Sequence, residues 1–301
     1  MAGSRLARRE AIEGYLCISP WIVGFLLFGG GPILASAGIS LTDWNLLGSA
    51  EYVGLENYRA LYLDPLFWTA IRVTLIYTAA NIPLTIALGF ALAVLLNQNV
   101  RLIALWRTIF YLPAVVSGVA VALLWLWVFN PELGLANRFL GLFGIEPLGW
   151  YLSTRWALPM LIIMSLWNVG GGMVIYLAGL QGIPTELYEA AQIDGANAVR
   201  RFIAVTIPMM TPVLFFQVII GIINSLQVFT NAYVITQGGP ANATLVYVLY
   251  LYLNAFSYFK MGYAAALAWI LFLMILALTG VVFWSSSRWV YYEAGERRAA
   301  R

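Results

Sequence analysis

The chain has 301 residues, of which 62% are hydrophobic and only 10% charged, against about 25% charged in a soluble globular protein. Its mean hydropathy is +0.85. With no histidine, one cysteine and a net charge of +3, it excludes histidine catalysis, a histidine metal site and an internal disulfide, and it gives no reason to expect a nucleic-acid partner.

About 20 apolar residues are needed to cross the roughly 30 Å hydrocarbon core. In lipid such runs are helical, because every backbone group must be satisfied within the protein. Six uncharged stretches of that length predict an all-α, polytopic membrane protein with six transmembrane helices. The first covers residues 16–39. It exceeds the roughly 7–15-residue core of a signal peptide and is read as retained. Its cysteine, Cys17, is expected to be a small buried hydrophobe. The loop at 40–72 carries apolar and aromatic residues and is expected to fold back onto the bundle. Spans two and three cover 73–96 and 109–129, a second such loop covers 130–155, and span four covers 156–180.

Charge then gathers abruptly in "ELYEAAQIDGANAVRRFIAVTIP", residues 186–208. Thr185 is a suitable N-cap, and Glu186 and Glu189 in the first turn suit the helix dipole. Gly195 supplies the left-handed residue that commonly ends a helix, and a second short helix follows. The result is a helix–glycine–helix corner, with small alanines at 190, 191, 196 and 198 that allow another protein close approach. Pro208 and Pro212 are tolerated near the start of span five, 207–235. Span six covers 261–284.

Residues 244–259, "TLVYVLYLYLNAFSYF", leave a seventh span open. They are short and rich in tyrosine, which favours an interfacial or re-entrant segment. The positive-inside rule decides the count. Six spans with both termini inside place Arg5, Arg8, Arg9, Arg101, Arg107, Arg200, Arg201, Arg288, Arg297, Arg298 and Arg301 on the cytoplasmic side. Only Arg59, Arg72, Arg138, Arg155 and Lys260 remain outside. The charged corner at 184–208 then faces the cytoplasm.

Polar residues inside spans mark pathways or helix contacts. On span five, Gln217, Asn224, Gln227 and Asn231 fall within an arc of about 80° on one helical face, a ladder of amides. Span four carries Trp167 and Asn168 ahead of Gly170, Gly171 and Gly172. Asn168 and Asn224 lie at similar depth, about 17–18 Å from the outer ends of their spans. Amides exchange hydrogen bonds with sugar hydroxyls, and an indole stacks on a sugar's apolar face. Interhelical hydrogen bonding is the other reading of the same residues. The spans hold no Asp, Glu, His or Lys, so a general acid or base is hard to find.

The corner resembles the EAA motif of permease subunits of binding-protein-dependent ABC importers. It reads Glu189-Ala190-Ala191, three residues, Gly195, then Val205-Thr206-Ile207-Pro208. "YVGLENYRALYLDPLFWTAIRVTLIYT" and "ITQGGP" extend the likeness over roughly residues 15–290 to the carbohydrate-uptake branch. They are similar to its maltose- and glycerol-3-phosphate-type first permease subunit. The resemblance implies a type I ABC importer permease working by alternating access in a bacterial or archaeal cytoplasmic membrane. It implies a cytoplasmic coupling helix in which Glu189, Ala190, Ala191, Asp194 and Gly195 meet an ATPase. The implied partners are a second homologous permease, two ATPase subunits, an extracytoplasmic solute-binding protein, membrane lipid and a carbohydrate. The chain carries no cofactor, and ATP and Mg belong to the ATPases. A P-loop needs a lysine on the phosphates, and the one lysine here, Lys260, lies in "YFKMG". The resemblance also frames Trp167, Asn168, Gly171, Gly221, Ser225, Val228 and Thr230 as sugar-contacting positions. Combined with the amide arc, the substrate set is Trp167, Asn168, Gly171, Asn224, Ser225 and Gln227. A secondary transporter of a polar solute is the alternative. It calls for an intramembrane ionisable residue, which the spans lack, although Na⁺ coupling through neutral oxygens stays open.

Overall fold

The computed structural model describes residues 5–98 and 101–291. Helix α1 (Arg5–Phe25) passes through a π-helical turn at Leu26–Gly30 into α2 (Gly31–Ile39). A short antiparallel hairpin pairs β1 (Thr42–Asp43) with β2 (Glu51–Tyr52), Thr42 opposite Tyr52. Then come α3 (Glu56–Leu63), α4 (Pro65–Leu96), α5 (Ile103–Val115), α6 (Gly118–Val128), α7 (Leu135–Gly141), α8 (Ala157–Leu166) and α9 (Gly170–Gln181). The charged corner forms α10 (Thr185–Ile193) and α11 (Ala198–Arg201), and a π turn at Phe202–Thr206 leads into α12 (Ile207–Leu226). The chain closes with α13 (Tyr247–Tyr252) and α14 (Met261–Trp289).

Among the described residues four helical runs are long and apolar enough to cross a membrane: Ala7–Ile39, Pro65–Leu96, Ala198–Leu226 and Met261–Trp289. Two further pairs qualify if each counts as one bent span: α5 with α6, bent by 99°, and α8 with α9, bent by 44°. Together they give six. The first bend falls at Val116 and Ser117, both extended, just after Pro113. Helix continues from Tyr247 only to Ser257, too short to span.

Two of the π turns share a cause. Each ends two residues before a proline, Pro32 in the first run and Pro208 in the fifth. A proline has no N–H and its ring crowds the carbonyl one turn back. The wider i→i+5 turn, closed by the N–H of the residue before each proline, gives the ring room without ending the helix. Pro208 therefore lies well inside a run that begins at Ala198, not near its start. The same run ends at Leu226, followed by a break, so the arc that joined Gln227 and Asn231 to Gln217 and Asn224 is not one helical face.

The residues group into two compact units. One comprises the chain up to Asp64 with Leu251–Ile270. In it Asn57 Nδ2 donates to the carbonyls of Ser40 and Thr42, both at 2.9 Å. Tyr263 donates to Asp64 at 2.8 Å, and Trp269 Nε1 to Ser36 Oγ at 3.2 Å. The run from Ala7 to Ile39 keeps its apolar surface uncovered. Cys17, expected to be buried, is exposed on it, where none of the described residues covers the run.

The other unit comprises Pro65–Tyr250 and the chain from Leu271 onward. Helix α4 is its spine and packs against α8, α9 and α12. Lipid is as apolar as these side chains, so close van der Waals fit carries the packing. Met173 and Met210 are fully buried with Tyr176, Leu180 and Ala93. Gly179 admits Val213 and Met210, whose atoms would lie 2.8–3.1 Å from an added Cβ. The loop at 130–155 is ordered by Asn137. Its side chain donates to the carbonyls of Pro131 and Leu148 and accepts from Leu148 N and Trp150 Nε1. Trp150 in turn packs on Phe129, with ring centroids 4.7 Å apart. Of the arginines expected to set orientation, Arg297, Arg298 and Arg301 lie outside the described residues.

Candidate functional site

The break between α8 and α9 opens the site. Three glycines follow it, and Gly170 is required: an added Cβ would fall on the carbonyl oxygen of Phe110. The close α5–α9 approach holds the 44° bend in place. A cavity of about 390 Å³ lies at the bend, between α4, the α8–α9 pair and α12. Its polar lining is amide and hydroxyl: Asn81, Asn168, Gln217 and Asn224, with Tyr77, Thr85, Ser165, Tyr176 and Ser225. No charged side chain lines it. Among the described residues no group of His, Cys, Asp or Glu could hold a metal.

Asn81 organises the floor. It is 7% exposed, on the inward face of α4. Its Nδ2 donates to Ser165 Oγ on α8, and its Oδ1 accepts from Ser225 Oγ on α12 at 3.0 Å. Gln217 Nε2 reaches the Gly172 carbonyl at 3.4 Å. Ser225 and Asn81 thus use their hydrogen bonds on each other, whereas Asn168 and Asn224 are exposed towards the cavity. Interhelical bonding and a free amide surface coexist in one site.

Of the residues singled out in the sequence, Asn168, Gly171, Asn224 and Ser225 meet at this cavity, as does Gly221. Trp167 and Gln227 do not line it. Trp167 is 51% exposed and meets Trp125 edge-on at 5.8 Å. Gln227 lies beyond the last turn of α12 and is exposed. Asn81, Tyr77 and Ser165 are the residues that sequence reasoning missed. A lone asparagine in the apolar run of span two was the available signal.

The second candidate region is the corner. Thr185 is the first residue of α10, with Pro184 at the N-cap and no side-chain cap bond, so the expected threonine cap is not formed. Gly195 has φ +76°, as a glycine ending a helix should. Ala196 N bonds Ala191 O and Gly195 N bonds Gln192 O, closing a Schellman-type end. Asn197 then caps α11 by accepting from Arg200 N at 2.9 Å. Tyr188 ties the corner to the start of the fifth run through Thr206 Oγ1 at 3.0 Å. No residue of α10 or α11 is buried, and Ile193 is 87% exposed. Glu189, Ala190 and Asp194 are exposed with it, and Ala191 is half-buried.

A polytopic helical protein with a neutral, amide-lined cleft between its spans and an exposed helical corner at their end belongs to the class of membrane transport proteins. Comparison with known proteins narrows this. Residues 85–291 match the family described as binding-protein-dependent transport system inner membrane component. The chain is 40% identical to the probable ABC transporter permease protein YesP of Bacillus subtilis (strain 168) over 301 residues, covering 98% of this chain and 97% of that one. It is 36% identical over 291 residues to the lactose transport system permease protein LacF of Rhizobium radiobacter, covering 94% and 97%. A crystal structure of a bacterial ABC transporter involved in the import of the acidic polysaccharide alginate superposes with a TM-score of 0.82 at 23% identity, covering 95% of this chain and 99% of that one, which establishes the shared fold. This chain belongs to the binding-protein-dependent transport system inner membrane component family. It is a multi-pass permease subunit of an ABC importer.

Proposed function

We propose that this subunit carries a sugar or sugar derivative through the cavity at the α8–α9 bend, by alternating access driven by ATP hydrolysed on separate subunits. The observation that carries the reading is the cavity's lining, which is rich in amides and hydroxyls and free of charge. Such a surface exchanges hydrogen bonds with a neutral polyol and offers no counter-charge to an ion. The lactose transport role in the name of LacF supports the same substrate class. Asn168 and Asn224 are the free hydrogen-bonding amides, Gly171 lets the ligand approach the backbone, Ser225 holds the floor, and Trp167 and Gln227 act outside the cavity.

The corner at 184–208 is the ATPase-coupling element. Glu189, Ala190, Ala191, Asp194 and Gly195 form its contact surface, and both chain termini share its cytoplasmic side. A second homologous permease completes the pathway, two ATPases bind ATP and Mg, and a solute-binding protein delivers the sugar from outside. The membrane crossings of this reading are the runs Ala7–Ile39, Pro65–Leu96, α5 with α6, α8 with α9, Ala198–Leu226 and Met261–Trp289, which overlap the expected segments 16–39, 73–96, 109–129, 156–180, 207–235 and 261–284, the fifth run starting and ending nine residues ahead of 207–235.

The test is to purify the complex with its ATPases and the binding protein encoded beside it. ATP hydrolysis is then measured with a panel of monosaccharides, oligosaccharides and amino acids. At least one sugar-loaded binding protein should stimulate hydrolysis. Stimulation by amino acids and by no sugar would overturn the substrate class.

A further inference from the structure

Helix α7 turns its polar side inward. Asn137 is buried there and makes all four of its hydrogen bonds within the loop, to Pro131, Leu148 and Trp150. Leu135, Phe139, Leu142 and Phe143 lie on the opposite side, within an arc of about 100° counted through the turn that continues the helix. All four are exposed, Leu142 by 80%. Phe139 and Phe143 meet edge-on with ring centroids 5.3 Å apart, so the apolar face is one surface. A surface helix of a globular protein is arranged the other way round, with its apolar side inward. The loop is bound to the bundle through Asn137 and Trp150, while its phenylalanines turn outward.

The place of α7 in the chain says what covers this face. It packs against α6, part of a membrane crossing, whose Val119, Leu123 and Trp127 are exposed as well. Trp150 is held between Phe129 and Trp156, with ring centroids 4.7 and 6.2 Å away, and the α8–α9 crossing begins at Ala157. Helix α7 is therefore fixed beside the ends of two crossings and is not free to lift away. Asn130, the loop's other asparagine, accepts from the N–H groups of Glu132 and Leu133. The exposed face thus has no amide to offer the hydrogen bonds of a protein interface. Arg138 is exposed at its edge, where an arginine stem lies along apolar surface while the charged head stays with water and phosphate. We propose that α7 is an in-plane membrane anchor, with its four apolar side chains in the lipid of one leaflet and the Arg138 guanidinium at the phosphates. One crossing, α8 with α9, separates this loop from the corner, so the leaflet is the one opposite the corner. The anchor sets the depth of the neighbouring ends of α6 and α8. It requires only that the chain crosses the membrane, not that it carries a sugar.

The test reads depth in the membrane. The whole complex, with Cys17→Ser and otherwise free of cysteine, receives one of three changes, Phe139→Cys, Leu142→Cys or Glu146→Cys. Each replaced side chain is exposed, so the packing is left intact. The thiol is spin-labelled and the complex is reconstituted into vesicles of phosphatidylethanolamine and phosphatidylglycerol. Collision rates with oxygen, which concentrates in lipid, and with a water-soluble nickel chelate then give the depth of each label. Labels at positions 139 and 142 should lie about 5–10 Å below the phosphates, the depth of an interfacial helix. The label at position 146 should lie at the phosphates or above them. Labels at 139 and 142 as open to the nickel chelate as the one at 146 would overturn the anchor. Labels closed to both reagents would place a protein subunit on the face and would overturn it too. Labels open to water in the complex alone and shielded only when the solute-binding protein is added would make the face that protein's docking surface, which also contradicts the anchor.

Discussion

Ser225 Oγ donates to Asn81 Oδ1 at 3.0 Å, joining α12 to α4 across 144 residues of sequence. The same asparagine donates to Ser165, so one amide ties three helices at the floor of the cavity. Replacing it leaves the buried Ser225 hydroxyl without its acceptor, while Ser165 keeps its bond to the Ile162 carbonyl. Asn81→Leu should destabilise the purified complex by about 1–3 kcal/mol, the cost of leaving buried polar groups unpaired. Ser225→Ala removes one bond and should cost less. A double-mutant cycle by thermal unfolding should give a coupling of about 0.6–1.7 kcal/mol, the range for interhelical bonds in membranes. Strict additivity would remove Asn81 from its role as the tie.

Asn168 lies at the α8–α9 break with its amide exposed to the cavity. Asn168→Leu removes donor and acceptor together and breaks no bond within the protein that the fold needs. The complex should assemble, and the apparent affinity for sugar should fall by roughly tenfold, the worth of a 1–2 kcal/mol hydrogen-bonding site. Uptake at the normal rate and affinity would show that Asn168 is not a required sugar ligand.

Two neighbouring glycines should respond differently to alanine. At Gly170 the new Cβ meets backbone, the carbonyl of Phe110, which cannot step aside. At Gly172 it meets the far end of Gln217, 2.9 Å away, which can rotate. Gly170→Ala should cost about 1–3 kcal/mol or prevent assembly, whereas Gly172→Ala should leave membrane expression and melting temperature near normal. Equal behaviour of the two would contradict the tight α5–α9 approach.

Much of this was legible in the sequence because a long apolar run admits few structures. The helices around Ala7–Ile39, Pro65–Leu96 and Met261–Trp289 follow from composition and length. Gly195, closing a short acidic helix, announced its left-handed turn. The breaks were harder to see. The break at Val116–Ser117 follows Pro113 and the turn at Trp167–Val169 precedes Gly170, but what each does depends on the helix it meets, as Gly170 meets the Phe110 carbonyl. Gln227 was placed on a helical face by arithmetic that assumed an unbroken helix, and the helix stops at Leu226. Asn81 was passed over because its meaning lies in contacts 84 and 144 residues away.

Gly195 at φ +76° has open space around it, so a side chain there is opposed by backbone conformation alone. Gly195→Val should cost about 1–2 kcal/mol and re-aim α10 without unfolding the spans. The expected signature is normal membrane insertion with reduced co-purification of the ATPases. Full co-purification would mean that the angle of the corner is not read by a partner.

The central claim is that ATP hydrolysed elsewhere drives sugar through this chain by way of the corner that carries Glu189. The most direct measurement is sugar accumulation in proteoliposomes containing the whole complex and its binding protein, with Glu189 intact or replaced in Glu189→Lys. Glu189 is exposed on α10, and the coupling proposal sets its carboxylate against a cationic side chain of the ATPase, so a lysine there would bring two cations together in a desolvated contact, a loss of a few kcal/mol. The account predicts accumulation that needs ATP and disappears in Glu189→Lys while the subunit remains folded in the membrane. Accumulation that follows an ion gradient without ATP, or that persists unchanged in Glu189→Lys, would contradict it.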